Sequence, residues 1–142
     1  MTSLNVRIKG QTGEREAIRL VQTWADAVCA AAGKPTVVLS RNLVQSREGG
    51  RDVVGIDWLA LEIKRHEKLA VSTWWRQATR QAGPGQTAVL MYRQNRTPWR
   101  FRVALDAAHP GMYAEPSHIP VDMDADAMEV WFKAELWARL HI

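Results

Sequence analysis

Glu62, Ile63 and Lys64 close an apolar stretch that begins at Leu59, and Asp52 lies ten positions before Glu62, just after the pair Gly49-Gly50 and Arg51. Leu59-Ala60-Leu61-Glu62-Ile63-Lys64 reads as a strand. Side chains alternate across a strand, so Glu62 and Lys64 are expected on one face. A carboxylate and an ammonium on a largely apolar face are costly to bury without partners. Asp52, on a neighbouring strand, can supply a second carboxylate. Two hard oxygen ligands side by side suit Mg²⁺, with Mn²⁺ as a substitute. A lysine beside them can hold or polarise an attacking water. Such a set suits phosphodiester hydrolysis, which needs charge stabilisation on the non-bridging oxygens and an activated water. The pattern is short, and an exposed strand with a surface Glu and Lys would look the same. Its weight depends on what surrounds it.

Charge is unevenly placed. Residues 1–105 carry 17 Lys+Arg against 8 Asp+Glu, whereas residues 106–142 carry 2 against 7. A basic body with an acidic tail suggests a polyanionic partner for the body. Arg41, Arg47 and Arg51 flank the proposed site. Arg93, Arg96, Arg100 and Arg102 lie on a later hairpin, and Arg100 and Arg102 share the strand face opposite Trp99, Phe101 and Val103. These side chains are expected to grip phosphates, giving salt-sensitive binding that does not depend on sequence. Gln77 is expected one helix turn from the site, either touching phosphate or water or simply exposed.

The elements that must position these residues follow from periodicity. At 142 residues the chain has the size of one domain, 1–142, with room for a real core. Residues 1–12 look loosely ordered, and a helix is expected over 14–32. Its apolar stripe is Ile18, Leu20, Val21, Trp24, Ala27 and Val28, and Gly33 is its stop. Residues 36–39 read as a first strand, 46–51 as a polar turn, 52–54 as a second short strand and 58–65 as the third, after a turn at 55–57. A second helix is expected over 71–81 with Ser72 or Thr73 as cap, then strands over 88–92 and 99–103. Residues 106–122 read as an irregular connection, and 124–140 as a last helix with acids in its first turn, where the helix dipole favours them. This order argues an α/β fold, a central mixed β-sheet flanked by helices, with a C-terminal helical extension.

Other residues carry less. The single cysteine, Cys29, cannot form an internal disulfide, and the composition suits a reducing cytoplasm. No stretch approaches transmembrane length, and no membrane partner is expected. Of the seven tryptophans, Trp24 and Trp137 fit helix core stripes. Trp74 and Trp75 are adjacent and are not both expected to face the core fully. His66 follows the strand of Glu62 and is placed to touch substrate. His109, His118 and His141 have no metal-ligand spacing.

Several segments together resemble a known family. Lys9-Gly10 followed by Gly13-Glu14-Arg15-Glu16 opens the first helix. Arg41-Asn42-Leu43 and Gln45-Ser46-Arg47-Glu48-Gly49-Gly50-Arg51-Asp52 form the approach to an aspartate, and Glu62-Ile63-Lys64-Arg65 forms an E-x-K strand. Trp74-Trp75-Arg76-Gln77-Ala78 and the run from Val89 to Arg100 complete the likeness, which covers about residues 8–105. The pattern resembles the PD-(D/E)xK nuclease superfamily, and within it archaeal-type Holliday-junction resolvases and small phage and prophage endonucleases. Arg51 stands where the superfamily's name has proline.

The resemblance implies a restriction-endonuclease-like core at about 8–105 and a Mg²⁺-dependent DNA endonuclease. Its catalytic set would be Glu14, Asp52, Glu62 and Lys64, with Asp52, Glu62 and Glu14 as metal ligands and Lys64 orienting water. Glu14 fits better than Glu16, by its spacing from Lys9. Asp52 fits better than Asp57, which is expected in the turn, too near the strand end. The acids would repel one another without a cation, so the cluster predicts metal binding. Arg41, Arg47, Arg51, Arg65, Gln77, Arg93, Arg96 and Arg100 would contact nucleic acid. Resolvases of this kind act as two-fold dimers on branched DNA, so a homodimer is expected. The contrasting reading is a non-catalytic nucleic-acid-binding module, which would gain nothing from carboxylates that repel phosphate.

Overall fold

In a computed structural model of the chain, which describes residues 3–42, 51–111 and 119–141 and only the backbone of 3–11, the longest element is a helix, α1 (Ser3–Ala32). It begins well before the expected residue 14, and its backbone runs helically through Gly10 and Gly13 despite their low helix propensity. The small residue at 13 lets α1 approach the sheet, because a Cβ there would meet the Arg65 Cβ at 3.0 Å. Ala17, Val21, Trp24, Ala25, Val28 and Cys29 recur every three or four positions and are all buried. Gly33 ends the helix at φ +66, and the Lys34 amide returns to the Cys29 carbonyl at 3.0 Å, as expected of a left-handed C-terminal cap.

The strand expected over 36–39 does not form. Among the described residues the pairing there is a two-residue strand, β1 (Ser40–Arg41), antiparallel to β2 (Val53–Val54). The reason is a side chain. The Gln22 amide donates to the Val37 carbonyl at 2.7 Å and its oxygen accepts from the Leu39 amide at 2.8 Å, so a helix residue satisfies groups that a strand would have paired. Gly55 lies close behind this segment at φ +123, where a Cβ would fall 2.1 Å from the Val38 carbonyl oxygen, so only glycine fits.

The main sheet has four strands in the order β3 (Leu59–His66), β4 (Thr87–Gln94), β5 (Arg100–Ala104) and β6 (Pro120–Asp124). β3 and β4 are parallel, with Glu62 beside Leu90 and Lys64 beside Tyr92, and the other pairs are antiparallel. A helix, α2 (Val71–Gln81), links β3 to β4 as parallel pairing requires. Its N-cap position is Ala70 with no side-chain cap bond, so neither Ser72 nor Thr73 has the expected capping role. The described ends of the 106–122 stretch are less irregular than expected. They hold a short helix, α3 (Leu105–Ala108), and the edge strand β6, whose alternating burial over Pro120-Val121-Asp122-Met123-Asp124 is too short and too acidic to read as a strand from composition. The last helix, α4 (Ala125–Leu140), is capped by the Asp124 carboxylate, which accepts from the Ala127 amide at 2.8 Å.

The sheet separates two apolar layers. α1 and α4 cover the face of Leu61, Ile63, Val89, Met91, Phe101 and Val103, with Trp24 packed between Phe101 and Phe132. α2 covers the other face, setting Trp74, Trp75 and Ala78 on Leu90 and Tyr92. The expected mixed sheet, flanking helices and C-terminal helix are therefore present. The tryptophans differ from expectation. Trp74 and Trp75 are both buried, because α2 lies flat on a face where Ala88 and Ala104 leave room, whereas Trp137 is 45% exposed on the outer side of α4. Among the described residues no helix is long and apolar enough to cross a membrane.

Candidate active site

β3 is one of the sheet's two edge strands, and residue 52 lies against that edge. The Asp52 amide donates to the Leu61 carbonyl at 3.1 Å, and Asp52 Oδ2 accepts from the Ile63 amide at 2.7 Å. The side chain thus satisfies a backbone group that an edge strand otherwise leaves open. This geometry also presents the Asp52 carboxylate to Glu62. Glu62 is 2% exposed and Asp52 6%, the only buried charged or polar residues among those described.

Period-two alternation places Glu62 and Lys64 together on the α2 face, and Lys64 Nζ lies 3.4 Å from Glu62 Oε1. Gln77, on α2, donates from Nε2 to the same oxygen at 3.1 Å. Burial is the larger force on Glu62 and the Asp52 charge the next; together they push its carboxyl up to about 8 against the opposing pull of Lys64. At the strand's end His66 stacks on Trp74 with ring centroids 5.0 Å apart. Burial, and then the Lys64 charge, hold His66 below the ordinary histidine range.

The third expected acid stands elsewhere. Glu14 Oε2 accepts from Arg41 Nε at 2.6 Å, and among the described residues no three His, Cys, Asp or Glu side chains gather as a metal-holding group. Glu16, its neighbour in sequence, accepts from Arg65 at 3.1 Å and Arg93 at 3.0 Å. Asp57 is exposed in the turn before β3.

The expected phosphate contacts divide between the two sheet faces. Arg65 and Arg93 lie side by side on the α1 face, away from Glu62, where both clamp Glu16 and Arg93 also covers the Trp99 ring at 5.0 Å. Arg51 donates to the Asp57 carbonyl at 3.2 Å. Arg102 is held bidentately by Asp122 at 2.8 and 3.0 Å, whereas Arg100 and Arg96 are exposed, Arg96 at the hairpin tip with φ +68. Arg47, the approach segment 43–50 and His118 lie outside the described residues. The sequence reading missed Gln22, which anchors the segment leading to Arg41. A lone polar residue beside Val21 carries no signal of that role.

No family model matches the chain, and no curated protein matches it. Among solved structures, Hjc, a Holliday junction resolvase from the archaeal hyperthermophile Archaeoglobus fulgidus, is 19% identical, with 86% of this chain and 88% of that chain covered and a TM-score of 0.46.

Proposed function

We propose that this protein is a metal-dependent DNA endonuclease of the PD-(D/E)xK kind that hydrolyses phosphodiester bonds, with branched DNA as its substrate. The observation that carries the reading is the buried pair Asp52 and Glu62 with Lys64 Nζ 3.4 Å from Glu62 Oε1, on an edge strand of the sheet. Two facing carboxylates held out of water raise the energy of the charged state, and a divalent cation relieves it. The donor set fits Mg²⁺, which one or two carboxylates hold while waters and phosphate oxygens complete its shell. Mn²⁺ would serve as a substitute.

Asp52 and Glu62 would hold the ion, while Glu14 is paired with Arg41 through Oε2. Bound there, the ion supplies neutralisation of the charge that develops on the phosphate. Gln77 keeps the Glu62 carboxylate oriented through Oε1. Lys64 Nζ donates to the attacking water and orients it. Arg41, Arg51, Arg96 and Arg100 supply cations for the phosphates on either side. Arg65 and Arg93 support the site by tying α1 to the ends of β3 and β4. A homodimer would place two such sites on one junction, and the exposed Val130 and Trp137 on α4 offer a surface for it.

A non-catalytic nucleic-acid-binding module is the second reading, favoured by the absence of a third acid beside the pair among the described residues. The test is incubation with a labelled four-way junction and a matched linear duplex, with Mg²⁺ or EDTA, beside Glu62→Ala. Symmetric, metal-dependent cutting of the junction, lost in the variant while binding persists, supports the proposal. Cutting of both substrates keeps the nuclease and removes junction preference. Binding without cutting under either Mg²⁺ or Mn²⁺ selects the binding module.

A further inference from the structure

A groove of about 470 Å³ runs between α1 and residues 39–41. Ile18 and Leu39 contribute its apolar lining, and Arg15, Arg19 and Arg41 its cationic side. Arg15 and Arg19 are one helical turn apart and both exposed, with Cβ atoms about 6 Å apart by helix geometry. Among the described residues neither takes an ion pair.

The acids nearby do not neutralise them. Glu14 is held by Arg41, and Glu16 is shared between Arg65 and Arg93. Asp26, the acid at the other end of the groove, accepts from Gln22 Nε2 at 2.8 Å and lies two turns along the helix from Arg19. Among the described residues, the end carrying Arg15 and Arg19 therefore keeps an uncompensated positive charge. That end is also joined to the candidate active site. Arg41 pairs with Val53 across the small sheet, and the Asn42 amide donates to the Asp52 carbonyl at 2.8 Å.

We infer that this groove holds the sugar-phosphate backbone of the DNA arm flanking the scissile bond, with Arg15 and Arg19 contacting neighbouring phosphates. The inference rests on the nuclease reading for the identity of its ligand. It adds two residues to the interface and sets the direction in which one strand leaves the site, along α1. A backbone contact of this kind positions the duplex without reading its sequence. Each neutralised phosphate contributes about 0.9 to the slope of log affinity against log salt.

The test measures affinity of the intact protein for a labelled duplex in EDTA across about 50 to 200 mM salt. Arg15→Ala with Arg19→Ala should weaken binding and lower the salt slope by about two. Arg15→Lys with Arg19→Lys should keep the slope, because a lysine still neutralises a phosphate. A charge-matched control, Lys34→Gln with Lys133→Gln, should leave it near wild type. An unchanged slope in the alanine variant, with wild-type binding intact, overturns the groove and leaves the nuclease standing. An equal loss in the control also overturns it, by assigning the effect to net charge alone. A wild-type protein that binds no DNA overturns the groove together with the nuclease reading.

Discussion

Gln77 Nε2 donates to Glu62 Oε1 at 3.1 Å, so a residue of the crossover helix fixes the orientation of a buried carboxylate on an edge strand. Partners that orient a ligand commonly influence metal affinity by about 10- to 100-fold. Gln77→Ala is expected to shift the Mg²⁺ dependence of cleavage upward within that range while leaving the rate at saturating Mg²⁺ close to wild type. Titration of cleavage against Mg²⁺ checks this. A variant that loses rate at every Mg²⁺ concentration would assign Gln77 a part in the chemistry instead.

Glu62 makes metal-free stability depend on pH. Its carboxyl titrates near 4.5 in the unfolded chain and is pushed up to about 8 in the fold, mainly by burial and then by Asp52. The folded state therefore holds the proton more tightly. The associated stability is fully present below pH 4.5 and is lost as pH rises through 8, by up to about 1.4 kcal/mol per pH unit. His66, held below its ordinary value of 6.5, acts in the opposite sense at lower pH, which leaves pH 7 to 8 as the clean window. Denaturant midpoints in EDTA should fall across that window in wild type and stay level in Glu62→Gln.

Mg²⁺ should reverse that loss. An ion that binds only the folded state at a hundredfold excess over its Kd adds about 2.7 kcal/mol. For a chain of this size each kcal/mol is worth about 2 to 4 °C in Tm. Thermal unfolding at pH 8 with and without Mg²⁺ should separate by that amount in wild type and coincide in Glu62→Gln. Coincident curves in wild type would remove the basis for a metal at Asp52 and Glu62.

Alternation along β3 made the core of the site legible in sequence, because a period of two puts Glu62 and Lys64 on one face whatever the rest of the fold does. The same rule sends Arg65 to the other face, and β3–β4 register carries Arg93 with it. Both residues, expected to contact nucleic acid, therefore stand on the face opposite Glu62, where they pair with Glu16. The Gly33 stop, the helix over 71–81 and the strands around Leu61, Leu90 and Phe101 were legible for the same local reasons. What was not legible depends on distant partners. Gln22 replaces strand pairing at Val37 and Leu39, Arg41 draws Glu14 into an ion pair, and β6 exists because β5 offers it an edge. None of these leaves a mark in the spacing of its own segment.

Lys64 separates binding from chemistry. Its ammonium lowers the cost of ionising Glu62 and, in the proposed reaction, orients the attacking water. Lys64→Met is expected to retain DNA binding and to lower single-turnover cleavage by about 10²- to 10³-fold, the usual effect of removing one group that stabilises a transition state. Cleavage at the wild-type rate would leave Lys64 with only its pairing to Glu62.

Gly13 sets how closely α1 approaches β3, and its replacement puts two effects in opposition. Alanine in a helix interior is favoured over glycine by about 1 kcal/mol. Here the added Cβ would stand 3.0 Å from the Arg65 Cβ, which belongs to the strand and cannot swing aside as the end of a long side chain can. Either α1 lifts or β3 shifts, and both movements lengthen the 3.1 Å pair between Arg65 and Glu16. Overpacking of this kind costs about 1 to 3 kcal/mol, enough to outweigh the propensity gain. Gly13→Ala should therefore lower Tm, and should lower cleavage as well if the strand carrying Glu62 moves with Arg65. A raised Tm would mean that the helix yields freely and that the close approach at this point holds nothing in place.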